Sequence, residues 1–253
     1  MISESANAAG GDCIISIIIP AYNEAAYLPR YLPTVFASLK NWETRQSHTG
    51  EVIVVDNRSS DDTAAVARSL GATVSFEPVQ SIAASRNRGA KMARGGYLFF
   101  IDADVRIQPH TVQLVVDALG TGQYIGGAIN PVYLPRKRSS RLLCRYWDGY
   151  RKRHGGAQGV AQFCGANTFR SVGGYREDLY MSEDVDFFLR LRSQAEADGK
   201  SLFVPSDHTV EPSTRRYDQW PWWQMYFYQN PLTARMFLKS QRFWRHWYDR
   251  TVR

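Results

Sequence analysis

The first half of this chain predicts an α/β fold with a mostly parallel sheet covered by helices. Strand-like apolar runs alternate with helix-like ones from Ile14 to Leu119, and three of the predicted strands run into acidic residues. The length, 253 residues of ordinary globular composition, suffices for one large domain of this class or two small ones.

Ile14 to Ile19 reads as a buried strand closed by Pro20. Leu28, Tyr31, Leu32, Val35, Phe36 and Leu39 then recur at helical spacing, with Pro29 and Pro33 implying a late start or a kink. Glu51 to Val55 is the second strand, ended by Asp56. Asp61 and Asp62 open a second helix at Thr63, where acids suit the positive end of the helix dipole. Thr73 to Phe76 is a third strand and Ile82 to Ala93 a third helix. Gly95 and Gly96 supply the turn into Tyr97 to Ile101, a strand apolar enough to be covered on both faces. It ends abruptly in Asp102, Ala103 and Asp104. Two carboxylates one residue apart point to opposite sides if a strand continues, and converge if it bends. Pro109 to Leu119 is a fourth helix begun by proline. Further on, Ser182 is expected to cap a helix with apolar positions at Val185, Phe188 and Leu189, and Ser201 to Val204 forms another short strand.

Parallel sheets bind ligands beyond the C-terminal strand ends, which is where the polar residues gather: Tyr22-Asn23-Glu24, Asp56-Asn57-Arg58 and Asp102-Ala103-Asp104. Any one of them alone reads equally well as a turn. A hard cation, Mg²⁺ or Mn²⁺, would let the last pair sit near a diphosphate, since such ions take one or two carboxylates plus substrate phosphates. No Gly-x-x-x-x-Gly-Lys-Ser/Thr loop is present, and the glycines from Gly120 to Gly126 follow a helix and not a strand. Phosphates must therefore be neutralised by metal and basic side chains.

The formal charge of +7 and pI near 9.4 favour anionic partners: nucleotide diphosphates, phospholipid head groups or nucleic acid. Neither paired Cys/His fingers nor an aromatic RNP signature is present, so nucleic acid is not an expected partner. Two basic segments account for the charge. From Arg136 to Arg153 there are eight Lys or Arg residues against Asp148. After the aromatic run Trp220 to Tyr228, Arg235, Lys239, Arg242 and Arg245 are interleaved with Met236, Phe237, Phe243, Trp244, Trp247 and Tyr248. This reads either as an interfacial helix or as a helix packed back onto the domain, with a membrane, a lipid-linked acceptor or a partner in a homodimer covering part of it. The apolar runs are too short to span a bilayer. Met1 to Asp12 reads as a loose tail without signal-peptide features, and a cytoplasmic location is expected, with association at the cytoplasmic membrane face. Cys13, Cys144 and Cys164 lack the spacing of a zinc site or disulfide framework and are expected as buried thiols.

Five motifs in order resemble glycosyltransferase family 2: Pro20 to Glu24, Val54 to Thr63, Arg86 to Gly89, Asp102 to Asp104, and Gly165 to Tyr175 followed by Ser182 to Phe187. The resemblance runs from about Ile14 to Leu191. It implies the GT-A fold, a nucleotide-diphosphate sugar donor such as a UDP- or GDP-sugar, inversion at the anomeric carbon, and a glycan or lipid-linked acceptor. By the same resemblance Pro20, Ala21, Tyr22 and Glu24 hold the nucleoside and Asp56 reads the base edge. Arg86 completes that pocket, Asp102 and Ala103 contact the nucleotide, and Asp104 binds Mn²⁺ or Mg²⁺. Asp184 matches the catalytic base. Gly165, Ala166, Asn167 and Glu183 match the acceptor region, while Asp186 is expected only to decorate the helix start. His208 is a candidate further metal ligand, although a lone histidine is more often structural. Arg215 and Arg216 are expected either at the diphosphate or in a solvated basic turn. The implied division is a tail over 1–12, a catalytic domain over 13–212 split at 104, and a helical aromatic and basic extension over 213–253. Two alternatives remain open. A sugar-nucleotide pyrophosphorylase would need a glycine-rich, arginine-bearing loop where Pro20 to Glu24 stands, and a non-catalytic binding module would not need Asp102, Asp104 and Asp184 together.

Overall fold

The computed structural model describes residues 13–154, 159–230, 236–237 and 239–240. Much of the basic aromatic stretch that follows residue 230, and the 1–12 tail, lie outside the described residues. A seven-stranded sheet has the order β3-β2-β1-β4-β8-β6-β9: Thr73–Phe76, Thr49–Asp56, Cys13–Ala21, Tyr97–Ile101, Ala161–Gly165, Tyr124–Ala128 and Ser201–Phe203. Strands β1 to β4 are mutually parallel where they pair, as are β6 and β9, while β8 runs antiparallel to both its neighbours. A second sheet, β5-β10-β7 (Val105–Arg106, Thr209–Pro212, Asn130–Pro131), continues from the acidic end of β4. The expected α/β architecture is therefore present.

Helices cover both faces because the central strands are apolar on both. One core places Ile15, Ile17, Ile19, Val52, Val54, Phe99 and Ile101 against α1 (Leu28–Glu43), α2 (Thr63–Ser69) and α4 (Thr111–Gly120). The alternate positions Ile18, Ile53, Val55, Leu98 and Phe100 pack with Phe169, Tyr175, Phe187 and Leu191 beside α3 (Ile82–Met92), α6 (Ala166–Ser171) and α7 (Glu183–Ala197). Period-two alternation in a strand buried on both sides produces these two cores. Helix α1 starts at Leu28 without delay: Tyr31 N donates to Tyr27 O at 3.3 Å, Pro29 falls in the first turn, and the helix continues past Pro33 to Glu43.

The 213 boundary falls inside packed structure. Helices α8 (Arg215–Gln219) and α9 (Trp222–Gln229) lie against α5 (Arg138–His154), where Tyr217 and Trp220 bury themselves with Leu143 and Cys144. Cys144 and Cys164 are buried free thiols and Cys13 is half-buried. Among the described residues, no helix is long and apolar enough to cross a membrane.

Gly95 lies in the bend expected before β4 and is needed there for a second reason. A Cβ there would lie 2.7 Å from the carbonyl carbon of Ile15 and from the amide nitrogen of Ser16, so the chain needs glycine in order to pass against β1. Ser16 Oγ accepts from Gly95 N at 2.9 Å and donates to Glu51 at 2.7 Å, which satisfies the buried hydroxyl. Gly95→Ala is expected to destabilise by about 1–3 kcal/mol or more, because backbone cannot yield as a side chain does. Gly120→Ala, where a Cβ meets nothing within 4 Å, should be neutral or mildly stabilising. Urea midpoints of the two variants provide the check, and equal midpoints would refute the close-approach account.

Candidate active site

The three acidic loops converge at one end of the sheet because β1, β2 and β4 are parallel and adjacent. After β1, Asn23 adopts a left-handed backbone (φ 54°) and its Oδ1 accepts from Ser60 N at 2.8 Å. Asp56 accepts from Ser59 N at 3.0 Å, and Asn57 Oδ1 accepts from Ser81 N at 2.9 Å. These bonds fasten the loops after β1 and β2 to each other and to the start of α3. Pro20 and Ala21 end β1 in register with Val55 and Asp56, and Tyr22 leads into Asn23.

Asp102 and Asp104 follow β4, where Asp102 N donates to Val160 O at 3.2 Å. Each carboxylate is held by an arginine from a different part of the chain. Arg86 of α3 donates from Nη2 to Asp102 Oδ1 at 2.9 Å and from Nη1 to Glu183 Oε1 at 2.8 Å. The same Nη2 reaches Gly159 O at 3.2 Å, and the guanidinium lies 5.0 Å from the Tyr175 ring centroid. Arg215 of α8 grips Glu24 with both terminal nitrogens, one at 2.8 Å, and its Nη2 lies 3.1 Å from Asp104 Oδ2. Its guanidinium also stacks 4.1 Å over Tyr27. Ala103, between the two acids, is buried. Beyond Arg215 and Tyr27 opens a cleft of about 480 Å³, lined also by Arg30, Arg106, Val132, Leu134 and Arg136.

Asp184 stands beside this cluster, its Oδ2 accepting from Gly159 N at 2.6 Å. Ser182 does not cap α7 as expected: it makes no side-chain cap bond, and its left-handed backbone (φ 61°) turns the chain into the helix instead. The buried face of α7 is Glu183, Phe187, Phe188, Leu191 and Ala195, whereas Val185 and Leu189 are exposed. The apolar face is therefore rotated from the expected i, i+3, i+4 positions, with only Phe188 shared, and Glu183 of the first turn points inward to Arg86. Asp186 pairs with Arg190 at 2.7 Å.

Several residues lie elsewhere. Because β8 is antiparallel to β4, Gly165 pairs with Tyr97 and Ala161 with Ile101. Gly165, Ala166 and Asn167 therefore sit at the end of the sheet away from Asp102, and Gly159 and Val160 at the other end of the strand touch the site. Asn167 bonds Arg170 within α6. His208 is corrected as well: its Nε2 bonds Thr111 Oγ1 at 2.8 Å, and no group of three or more His, Cys, Asp or Glu side chains suited to a metal occurs among the described residues. Arg216 follows Arg215 in α8, its carbonyl accepting from Trp220 N. Gly159 and Tyr27 carried no signal in the sequence and Tyr175 appeared only as the end of a motif, since each acts through a contact distant along the chain.

A family model described as Glycosyl transferase family 2 matches residues 16–175. The chain belongs to that family. Over 141 residues it is 31% identical to the 4,4'-diaponeurosporenoate glycosyltransferase of Staphylococcus haemolyticus, covering 51% of this chain and 36% of the relative. The mannosyltransferase PcManGT from Pyrobaculum calidifontis, solved with GDP-Man and Mn²⁺, superposes with a TM-score of 0.59 at 19% identity, over 83% of this chain and 61% of that one. Glucosyl-3-phosphoglycerate synthase from Mycobacterium tuberculosis, solved with Mn²⁺, UDP and phosphoglyceric acid, gives 0.58 at 20% identity, over 89% and 78%. The fold is thus the GT-A fold. The chain spans between about a quarter and two thirds of the length of the curated relatives it matches.

The family 2 site is rich in acid for its single inner arginine. Burial works against the charge of Arg86, but Asp102, Tyr175, Glu183 and Asp184 outweigh it and hold the guanidinium ionised. Desolvation pushes Asp102 upward despite Arg86, and Asp104 adds to the rise. Glu183 is pushed up to about 7 by burial and then by Asp184, with Arg86 opposing. Since Glu183 binds its proton more tightly folded than unfolded, the native state should lose stability as pH rises from about 4.5 to about 7, by roughly 1–3 kcal/mol. Glu183→Gln should flatten that slope. Urea unfolding measured across this range tests it, and an unchanged slope in the variant would place the proton elsewhere.

Proposed function

We propose that this protein transfers a sugar from a nucleoside diphosphate to an acceptor hydroxyl, with inversion at the anomeric carbon. The observation that carries the reading is the Asp102–Asp104 pair at a parallel-sheet switch point, each acid held by its own arginine, in a chain of the glycosyl transferase family. Asp56, with Pro20, Ala21 and Tyr22, holds the nucleoside, while Asp102 and Ala103 line the ribose and phosphate. Arg86 organises the floor of the pocket from beneath, and Glu24 holds Arg215 ready for the diphosphate.

The residues fit a divalent cation in one way. Asp102 and Asp104 keep side-chain exposures of 34% and 23%, and no third protein ligand joins them among the described residues. Hard cations commonly use one or two carboxylates and complete their shell with substrate phosphate and water. Arg215 at 3.1 Å from Asp104 weakens that carboxylate for a cation alone, so the diphosphate must bring the charge that accommodates both. Mn²⁺ or Mg²⁺, held by Asp104 with Asp102, would supply Lewis-acid neutralisation of the leaving diphosphate. The two Mn²⁺-bound relatives in fold support this choice.

Asp184 accepts the acceptor's proton as the acceptor oxygen bonds to C1 of the sugar. The bond from C1 to the phosphate oxygen breaks, and its electron pair leaves with the nucleoside diphosphate, where Arg215 receives the charge. The acceptor is proposed to be a glycan precursor, lipid-linked or at the cell surface.

A screen of UDP- and GDP-sugars for hydrolysis, with and without Mn²⁺ or Mg²⁺, tests the reading, and no turnover of any donor would overturn it. Asp104→Ala is expected to abolish metal-dependent turnover while leaving the protein folded, and unchanged metal dependence would remove Asp104 from the site. Asp184→Asn should keep donor affinity by calorimetry and lower single-turnover transfer by about 10²- to 10⁴-fold. Loss of donor binding with an unchanged transfer step would instead move Asp184 to the nucleotide site and make Glu183 the base.

A further inference from the structure

Helix α5 (Arg138–His154) has two faces of opposite character. Leu143 and Cys144 are buried with Tyr217 and Trp220. On the outer side Arg138, Arg141 and Arg145 are exposed, and between them Leu142 and Tyr146 remain 67% and 50% exposed. These positions follow i, i+3, i+4, i+7, i+8, a single stripe along the helix. The helix carries three more basic residues, Arg151, Lys152 and Arg153, and Asp148 is its only acid.

The surroundings continue the same chemistry. Helix α9 packs on α5 and exposes Trp223, Tyr226 and Phe227. The segment leading into α5 carries Leu134, 68% exposed, and Arg136, both on the wall of the cleft beyond Arg215. Among the described residues no carboxylate pairs with the side chain of Arg136 or of Arg30 across that cleft. Apolar and aromatic side chains displayed among arginines suit neither plain water nor a neutral apolar partner. They suit a surface that is anionic outside and apolar beneath, where aromatic rings sit at head-group depth and arginines meet phosphate.

We infer that α5, with the adjoining exposed aromatics of α9, docks the protein on an anionic lipid bilayer. The surface is separate from the donor site, and the inference does not depend on the transferase reading. It differs from anchoring by the basic aromatic stretch after residue 230, most of which lies outside the described residues. Docking in this way would bring the cleft wall at Leu134 and Arg136 to the bilayer, with Arg215 and the acidic centre behind it.

Cosedimentation of the full chain with vesicles tests the inference. Vesicles rich in phosphatidylglycerol should bind, pure phosphatidylcholine vesicles should not, and 0.5 M salt should release most of the protein. Arg138→Gln/Arg141→Gln/Arg145→Gln should weaken binding on the order of 100-fold, with thermal unfolding unchanged because all three side chains are exposed. A control with equal loss of charge on another face, Lys40→Gln/Arg45→Gln/Arg68→Gln, should retain most of the binding. Leu142→Ser/Tyr146→Ser should reduce the salt-resistant fraction. Wild-type binding by the α5 variant, or equal losses in the variant and the control, would overturn the inference. So would a concentration-dependent dimer abolished by Leu142→Ser/Tyr146→Ser, because the face would then belong to a second copy of the chain. UDP and GDP titrations without vesicles report separately on the donor site.

Discussion

The acidic end of the sheet depends on one buried guanidinium. Arg86 joins α3, the end of β4, the chain entering β8 and the first turn of α7 through contacts to Asp102, Gly159 and Glu183. Removing one partner from such a buried network generally costs far more than the pair contributes, since the remaining charges are left desolvated and unpaired. Here one cation faces Asp102, Glu183 and Asp184, so the excess acid raises Glu183 to about 7, where burial and the Asp184 charge outweigh Arg86. The group that fixes where α7 begins is thus itself held charged in part by Asp184 in the same turn.

Arg215 performs the equivalent task on the opposite side of the acidic pair, but from the end of the described fold. Its bidentate pairing with Glu24 ties α8 to the loop after β1, and its contact with Asp104 ties both to the loop after β4. A guanidinium fork can hold a carboxylate with two bonds and still direct charge at a second oxygen, which an ammonium cannot do with the same geometry. In the proposed reaction, a diphosphate would meet a positive group already oriented by Glu24 and Tyr27, which would leave little ordering cost for binding.

Much of the fold was legible because β1 to β4 obey simple patterns: strands buried on both faces, helical spacing between them, and acids at the strand ends. The same regularity placed Tyr22 to Glu24, Asp56 and Asp102 to Asp104 together. What escaped depends on direction and distance. Gly165 to Asn167 match the acceptor region by resemblance, yet an antiparallel β8 puts them at the end of the sheet away from Asp102, and nothing in Ala161 to Gly165 itself reveals its direction. Glu24 and Arg215 are 191 residues apart, so no local spacing links them. Ser182 carries the residue type of a cap but the backbone of a left-handed turn.

That left-handed turn and Gly159 together determine where Asp184 can stand. A Cβ on residue 159 would fall 2.1 Å from Cβ of Asp184, so only glycine allows the two segments to meet with Gly159 N bonded to the carboxylate. Gly159 O is in turn held by Arg86, and Gln162 of β8 donates to the Asp184 carbonyl at 3.0 Å while accepting from Tyr175. The carboxylate is thus positioned by backbone approach and by neighbours that are themselves fixed. For the proton transfer proposed for Asp184, such preorganisation would matter more than the helix dipole at α7, because a base acts only within hydrogen-bond reach of its proton.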